Sequence, residues 1–159
     1  MMGEAFKAME DPHFLNRALV LARRAAVRGE VPVGAVVVLD GRIVGRGFNR
    51  PISALDPTAH AEMTALRRAA RRTGTYRLEG ATLYVTLEPC LMCMGALIHA
   101  RIKRLVYGAS DSKLGSVKLA QRLLARHNVN HSFEITSGVR RQACQALLLN
   151  FFKKRRRAT

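Results

Sequence analysis

The amino-acid sequence predicts an α/β protein: a three-layer α/β/α sandwich around a five-stranded mixed sheet. Two observations carry this. Apolar, β-branched runs alternate with segments of helical period along the chain. One connection, from Ser110 to His131, is long and has its own helical pattern, so the strands it joins are parallel rather than paired as a hairpin.

The elements follow in order. Asp11-Pro12 reads as a helix start, with Asp at the N-cap and Pro at the first position. Phe14, Leu15, Ala18, Leu19, Ala22, Ala25 and Ala26 then recur at helical spacing, and Gly29 closes the helix. Val33 to Leu39 is a nearly continuous apolar run, the mark of a strand covered on both faces. Asp40-Gly41 is a hairpin turn, and Arg42 to Asn49 is the return strand. A loop with Pro51 and Pro57 leads to a second helix that opens near Thr58. Ala81 to Leu87 is a third strand, broken by Glu88-Pro89, and a helix follows from about Cys90 to Ala100. Arg104 to Ala109 is a fourth strand. Val117, Leu119, Ala120, Leu123 and Leu124 mark a crossover helix, and Ser132 to Thr136 a fifth strand. The last helix runs from about Val139 into a basic tail that begins near Lys153. Phe151-Phe152 reads as core packing for that helix.

A chain of 159 residues, 48% hydrophobic, suits one domain spanning residues 1–159, with a core that needs no disulfide. No apolar run approaches the ~18 residues of a membrane span, and the acidic N-terminus is unlike a signal peptide. The expectation is a cytoplasmic protein without a membrane partner. Lys and Arg number 27 against 11 Asp and Glu, a formal charge of +16. The basic residues fall in Arg23-Arg24, Arg67-Arg68, Arg71-Arg72, Arg140-Arg141 and Lys153 to Arg157. Any one pair reads as a solvated helix face; the whole imbalance points to a polyanion, most often a nucleic acid.

Cys90, Cys93 and Cys144 are too few and too unevenly spaced for a disulfide framework. Cys90 and Cys93, three apart at a helix start, form either a metal pair or a redox pair. A helix N-terminus favours thiolates, and two thiolates with a histidine suit zinc. Three protein ligands leave a fourth position for water, which zinc ionises near neutrality. His60 and Glu62 stand in the segment Pro57 to Arg72. In a regular helix residues two apart lie about 200° apart and share no face. The conflict eases if His60 lies in an irregular first turn, with His60 on zinc and Glu62 moving protons between water and substrate.

His60-Ala61-Glu62 with Pro89-Cys90-Leu91-Met92-Cys93 resembles the signature of the zinc-dependent nucleoside deaminases. The segments EVPVGAVVV, GFNRPI, DPTAHAEMTALR, YRLEGATLYVTLEPCLMCMGALIHARI, VNHSFEIT and FFKKRR, in this order, are similar to the bacterial tRNA adenosine deaminase family over roughly Asp11 to Arg157. The resemblance implies a cytidine deaminase-like fold and one Zn²⁺ per chain on His60, Cys90 and Cys93 with a catalytic water. It implies hydrolytic conversion of the wobble adenosine of a tRNA anticodon to inosine, with water attacking C6 and Glu62 shuttling protons. Asn49 matches a residue that hydrogen-bonds the purine edge, and Asp111 one near the ribose and phosphate of the target nucleotide. The family is homodimeric and binds tRNA, at the anticodon stem-loop, across both subunits. The helix LMCMGALIHA suits part of that interface. The chain departs from the family at Ser110, where an arginine is usual, and at Gly115 to Ala120, where a run of small residues is usual.

Two other readings remain open on the residues alone. One is a zinc deaminase of free bases or nucleosides such as guanine or cytosine. The other is a basic RNA-binding or redox module with a structural zinc. The charge and basic tail favour an RNA substrate over a free base, which needs no polycation.

Overall fold

The computed structural model describes residues 2–111, 113, 115–126 and 131–159. Ser112 in the loop after the fourth strand, and Val129 and Asn130 of the VNHSFEIT segment, lie outside the described residues. The elements run α1 (Met2–Val27), β1 (Gly34–Leu39), β2 (Arg42–Phe48), α2 (Pro51–Ala54), α3 (Ala61–Thr73), β3 (Thr82–Leu87), α4 (Leu91–His99), β4 (Arg104–Ala109), α5 (Ser116–Arg126), β5 (Glu134–Ser137) and α6 (Arg141–Ala158). The sheet order is β2-β1-β3-β4-β5. β1 pairs antiparallel with β2 and β3, while β3, β4 and β5 are mutually parallel. The sheet is therefore mixed, and the β4–α5–β5 connection is the parallel crossover that its length predicts.

The period of two along the strands divides the core between the two faces. Ala35 and Val37 of β1, with Leu83 and Val85 of β3, meet Ala61, Ala65 and Ala69 of α3, Met94 and Leu97 of α4, and Val117 and Ala120 of α5. Val36, Val38, Tyr84 and Val106 face the other way, onto Phe14, Leu15 and Leu19 of α1 and Cys144 of α6. Both faces of the central strands are covered, which explains their unbroken apolar runs. At the β1–β2 hairpin, Asp40 (φ 50°) and Gly41 (φ 72°) are both left-handed, the conformation that a two-residue type I′ turn demands.

Two departures from the sequence reading have clear causes. The first helix does not start at Asp11. It starts at Met2 and carries Pro12 within it. Asp11 is not a cap: it is buried, and Arg104 of β4 grips its two carboxylate oxygens at 2.7 Å each. The Tyr84 hydroxyl donates to the same carboxylate at 3.0 Å, and Arg104 also donates to Thr136 Oγ1 at 2.8 Å. This pairing ties α1 to the middle of the sheet. Asp11→Ala leaves the Arg104 guanidinium buried without its counter-ion, and is expected to cost about 3–5 kcal/mol of stability. A urea midpoint unchanged from the parent would refute that role.

Secondly, the loop after β2 contains a helical turn, α2, that Pro51 starts. Its free N–H groups are met from a distance. The buried carboxylate of Glu30 accepts from Ile52 N, Ser53 N and Ser53 Oγ, each at 3.0 Å. Burial works to raise the Glu30 pKa, but these donors outweigh it and hold the carboxyl below its usual range. Smaller adjustments fall at the ends: β2 stops at Phe48, β5 starts at Glu134, and α6 starts at Arg141. α6 continues to Ala158, so the basic residues Lys153 to Arg157 are helical. Phe152 is 42% exposed and so is not core packing, while Phe151 is partly buried.

Candidate active site

The site stands where two helices begin. α3 lies flat on β2 because Gly45 and Gly47 give it room. A Cβ on Gly47 would collide with the Ala61 carbonyl, and one on Gly45 with the Ala65 carbonyl. Ala61, Ala65 and Ala69 are fully buried against this smooth strand. The close contact fixes where the N-terminus of α3 emerges. His60 is its N-cap, with extended backbone at φ −73° and ψ 156°. Glu62 lies in the first helical turn. His60 is thus outside the helix, which removes the 200° conflict between it and Glu62. Asn49, just past β2, accepts the Ala61 N–H on its Oδ1 at 2.9 Å and satisfies one exposed donor of α3.

α4 repeats the arrangement. Cys90 is its N-cap, also extended at φ −73° and ψ 171°, and Cys93 sits in the first turn. Neither His60 nor Cys90 spends its side chain on capping. Two helix N-termini, each with a positive dipole end, therefore converge on one point.

His60 Nδ1 lies 3.5 Å from Cys90 Sγ and 3.6 Å from Cys93 Sγ. The donor atoms of the three residues all lie within 4.8 Å of one another. Tetrahedral zinc with ordinary Zn–S and Zn–N bonds puts nitrogen and sulfur ligands about 3.5 Å apart. The donor set fits that ion in type and spacing. Cys144 cannot complete it, because it is buried in the α1/α6 layer on the opposite face of the sheet. The electrostatics agree. The Cys93 thiol donates to Cys90 and, against the effect of burial and with help from His60, lowers the Cys90 pKa to about 4. The same hydrogen bond, with burial, pushes Cys93 up. The hydrogen bond to Cys90 raises His60, against burial.

Glu62 is 3% exposed. Burial raises its pKa to about 7, with a hydrogen bond from its own backbone and the charge of His60 acting the other way. The Cys93 thiol beside it also works to hold the pKa down. The buried Glu62 carboxyl thus stands beside the three metal-donor residues with its pKa raised.

Asp111 lies beyond β4 and organises the loop there. Its Oδ1 accepts from Lys113 N at 2.9 Å, and its carbonyl from Gly115 N at 3.1 Å. Glu88, which the sequence reading took only as a strand breaker, is buried and holds this loop in place. Its carboxylate accepts from Asp111 N at 2.8 Å and Val117 N at 3.2 Å. The signal was an acid closing an apolar strand directly before Pro89-Cys90. Ser110 and Asp111 border a cavity of about 610 Å³ at the carboxyl ends of β3 and β4, which Leu149 and Phe152 of α6 also line. In open α/β sheets ligands gather at that end of the strands.

Residues 9–109 match the family model of the cytidine and deoxycytidylate deaminase zinc-binding region. The chain is 51% identical over 147 residues to the tRNA-specific adenosine deaminase of Haemophilus influenzae, covering 92% of this chain and 85% of that one. It is 46% identical to the tRNA-specific adenosine deaminase of Agrobacterium fabrum, covering 92% and 97%. Among solved structures, one from a study of A-to-I editing by deaminases acting at the wobble position of transfer RNA superposes with a TM-score of 0.81 at 47% identity, covering 86% of this chain and 99% of that chain. A guanine deaminase from Nitrosomonas europaea superposes with a TM-score of 0.76 at 25% identity, covering 88% and 83%.

Proposed function

The chain belongs to the tRNA-specific adenosine deaminases, within the cytidine and deoxycytidylate deaminase zinc-binding family, and on that premise we propose that it converts the wobble adenosine of a tRNA anticodon to inosine, releasing ammonia. The observation that carries the assignment of roles is the buried Glu62 carboxyl set against His60, Cys90 and Cys93 at two converging helix starts.

His60, Cys90 and Cys93 would hold zinc. When bound, zinc lowers the pKa of water and so supplies a nucleophile at neutral pH. Glu62 would take a proton from the attacking water as it adds to C6 of adenine and give it to the ring nitrogen. It would then take the proton of the new C6 hydroxyl and deliver it to the departing amine as the C6–N bond breaks, because an unprotonated amine is a poor leaving group. The balance is adenosine plus water to inosine plus ammonia. Asn49 has its Oδ1 occupied by Ala61, so it offers a purine a donor, its amide N–H. The Asp111 loop and the cavity beside it receive the sugar and the flanking nucleotides, with Phe152 as a stacking surface.

A homodimer is part of the proposal. Leu91 and Met92 at the start of α4, and Leu119 and Leu123 of α5, are exposed and apolar on adjoining helices of one layer. A second copy covers this face. No helix among the described residues is long and apolar enough to cross a membrane. A tRNA substrate places the enzyme in the cytoplasm.

The rival within the same fold is deamination of a free base. Initial rates on an anticodon stem-loop, free adenosine, free guanine and cytidine separate the two. Inosine from the stem-loop, with turnover of the free compounds lower by orders of magnitude, is the expected result. Faster turnover of guanine than of the stem-loop would overturn the tRNA reading and keep the zinc chemistry.

A further inference from the structure

A basic groove stands beside the segment that carries Asn49. Arg23 and Arg24, near the end of α1, and Arg28, just past it, are all exposed. Arg50, after β2, and Arg68, on α3, close the opposite wall. Together they line an open groove of about 870 Å³, whose floor includes Phe48.

The groove is not a chance scatter of mobile cations. The Arg28 guanidinium sits over the Phe48 ring, 4.9 Å from its centroid, and Arg50 lies 6.0 Å from the same ring. Arg68 donates to the Arg46 carbonyl at 3.1 Å. Three of the five guanidiniums are therefore held before any ligand arrives, which lowers the entropy lost on binding. Among the described residues, no acidic residue lines the groove. The Glu30 carboxylate, which feels the charge of Arg50, is buried and hydrogen-bonded to Ile52 and Ser53. Glu30 feels the charge of Arg50 alone among these arginines, so the five like charges together are far from neutralised and cost stability unless an anion meets them. Planar guanidinium forks suit phosphate oxygens.

The groove also shares its chain segment with the site. Arg50 directly follows Asn49, and its N–H donates to the Ala59 carbonyl at 2.9 Å, next to His60. We propose that this groove is a docking track for the phosphate backbone of the substrate RNA, running from the deaminase site over α1 and engaging the strand that flanks the edited nucleotide. The proposal rests on the tRNA reading above. It adds a surface that holds the substrate away from the reacting base.

The test is a matched pair of double variants in the full chain. Arg24→Gln/Arg28→Gln removes two charges from the groove. Arg71→Gln/Arg72→Gln removes two exposed charges from the end of α3 remote from His60. Binding and turnover of a fluorescent anticodon stem-loop are measured from low to high salt, with circular dichroism as the check on folding. The groove variant is expected to raise KM about 10-fold with kcat retained. It should flatten the slope of log Kd against log salt by about 1–2, because two phosphate contacts are lost. The α3 variant should change the slope by much less. Equal slopes in the two variants, or a groove variant whose slope matches the parent, would overturn the docking track. If the parent chain makes no inosine in the stem-loop, it is the tRNA reading that fails. If the parent makes inosine and the slopes match, only the groove assignment fails.

Discussion

Glu62→Gln is expected to retain zinc and stem-loop affinity while losing deamination by about 10⁴-fold or more. General acid–base catalysis typically contributes about 10²–10⁴-fold. Here one carboxyl serves several transfers in a turnover, so the loss sits at or beyond the upper end. Gln has nearly the shape of Glu and fills the same buried position at the start of α3. The packing of α3 on Gly45 and Gly47 does not depend on the carboxyl, so the fold survives. The variant cannot accept a proton from water or return one to the amine. Single-turnover inosine formation, with zinc measured on the same sample, separates the alternatives. A ligand role for Glu62 would appear as lost zinc. A near-parental rate with full zinc would sink the proton-transfer role.

His60→Ala and Cys90→Ser are expected to lose zinc and, with it, all measurable deamination. The parent should carry about one zinc per chain, because two thiolates and an imidazole meet that ion's preference. Changes to outer partners of metal ligands typically cost about 10–100-fold in affinity or activity, and loss of a direct ligand should exceed that. The distances of 3.5 and 3.6 Å from His60 Nδ1 to the two sulfurs put all three donors at coordinating range, and neither an Ala methyl nor a neutral Ser hydroxyl matches the donor it replaces. Cys144→Ser is the control, since Cys144 packs on the far face of the sheet. Elemental analysis after dialysis should show the parental zinc content in Cys144→Ser and almost none in the other two. Full zinc in His60→Ala would refute the ligand assignment.

Much of this was legible before the structure. The β-branched runs specify strands covered on both faces, and the long segment after Ala109 can be spanned only by a parallel crossover. Asp40-Gly41 encodes a turn type, because both residues tolerate positive φ. The His60, Cys90 and Cys93 set was readable because ligand chemistry restricts residue type more than most packing does. What escaped depended on distant partners. Asp11-Pro12 has the local form of a helix start, yet Arg104, far along the chain, claims the Asp11 carboxylate and the helix runs through Pro12. The α2 turn is capped by Glu30, and the Asp111 loop is held by Glu88. Neither pairing leaves a local pattern. The arginine groove is assembled from α1, α3 and the end of β2, so along the chain it appears only as scattered basic residues. His60 and Glu62 fall between these cases. Their spacing contradicts a regular helix, and the extended backbone of His60 as N-cap resolves it.

The most direct measurement is a single-turnover reaction of the zinc-loaded protein with an anticodon stem-loop in heavy-oxygen water, followed by nucleoside mass spectrometry. The account predicts inosine at the wobble position alone, with the solvent's heavy oxygen at C6 and ammonia released in equal amount. Other adenosines in the loop should remain unchanged. An unconverted stem-loop, inosine without solvent oxygen, or conversion spread across the loop adenosines would contradict it.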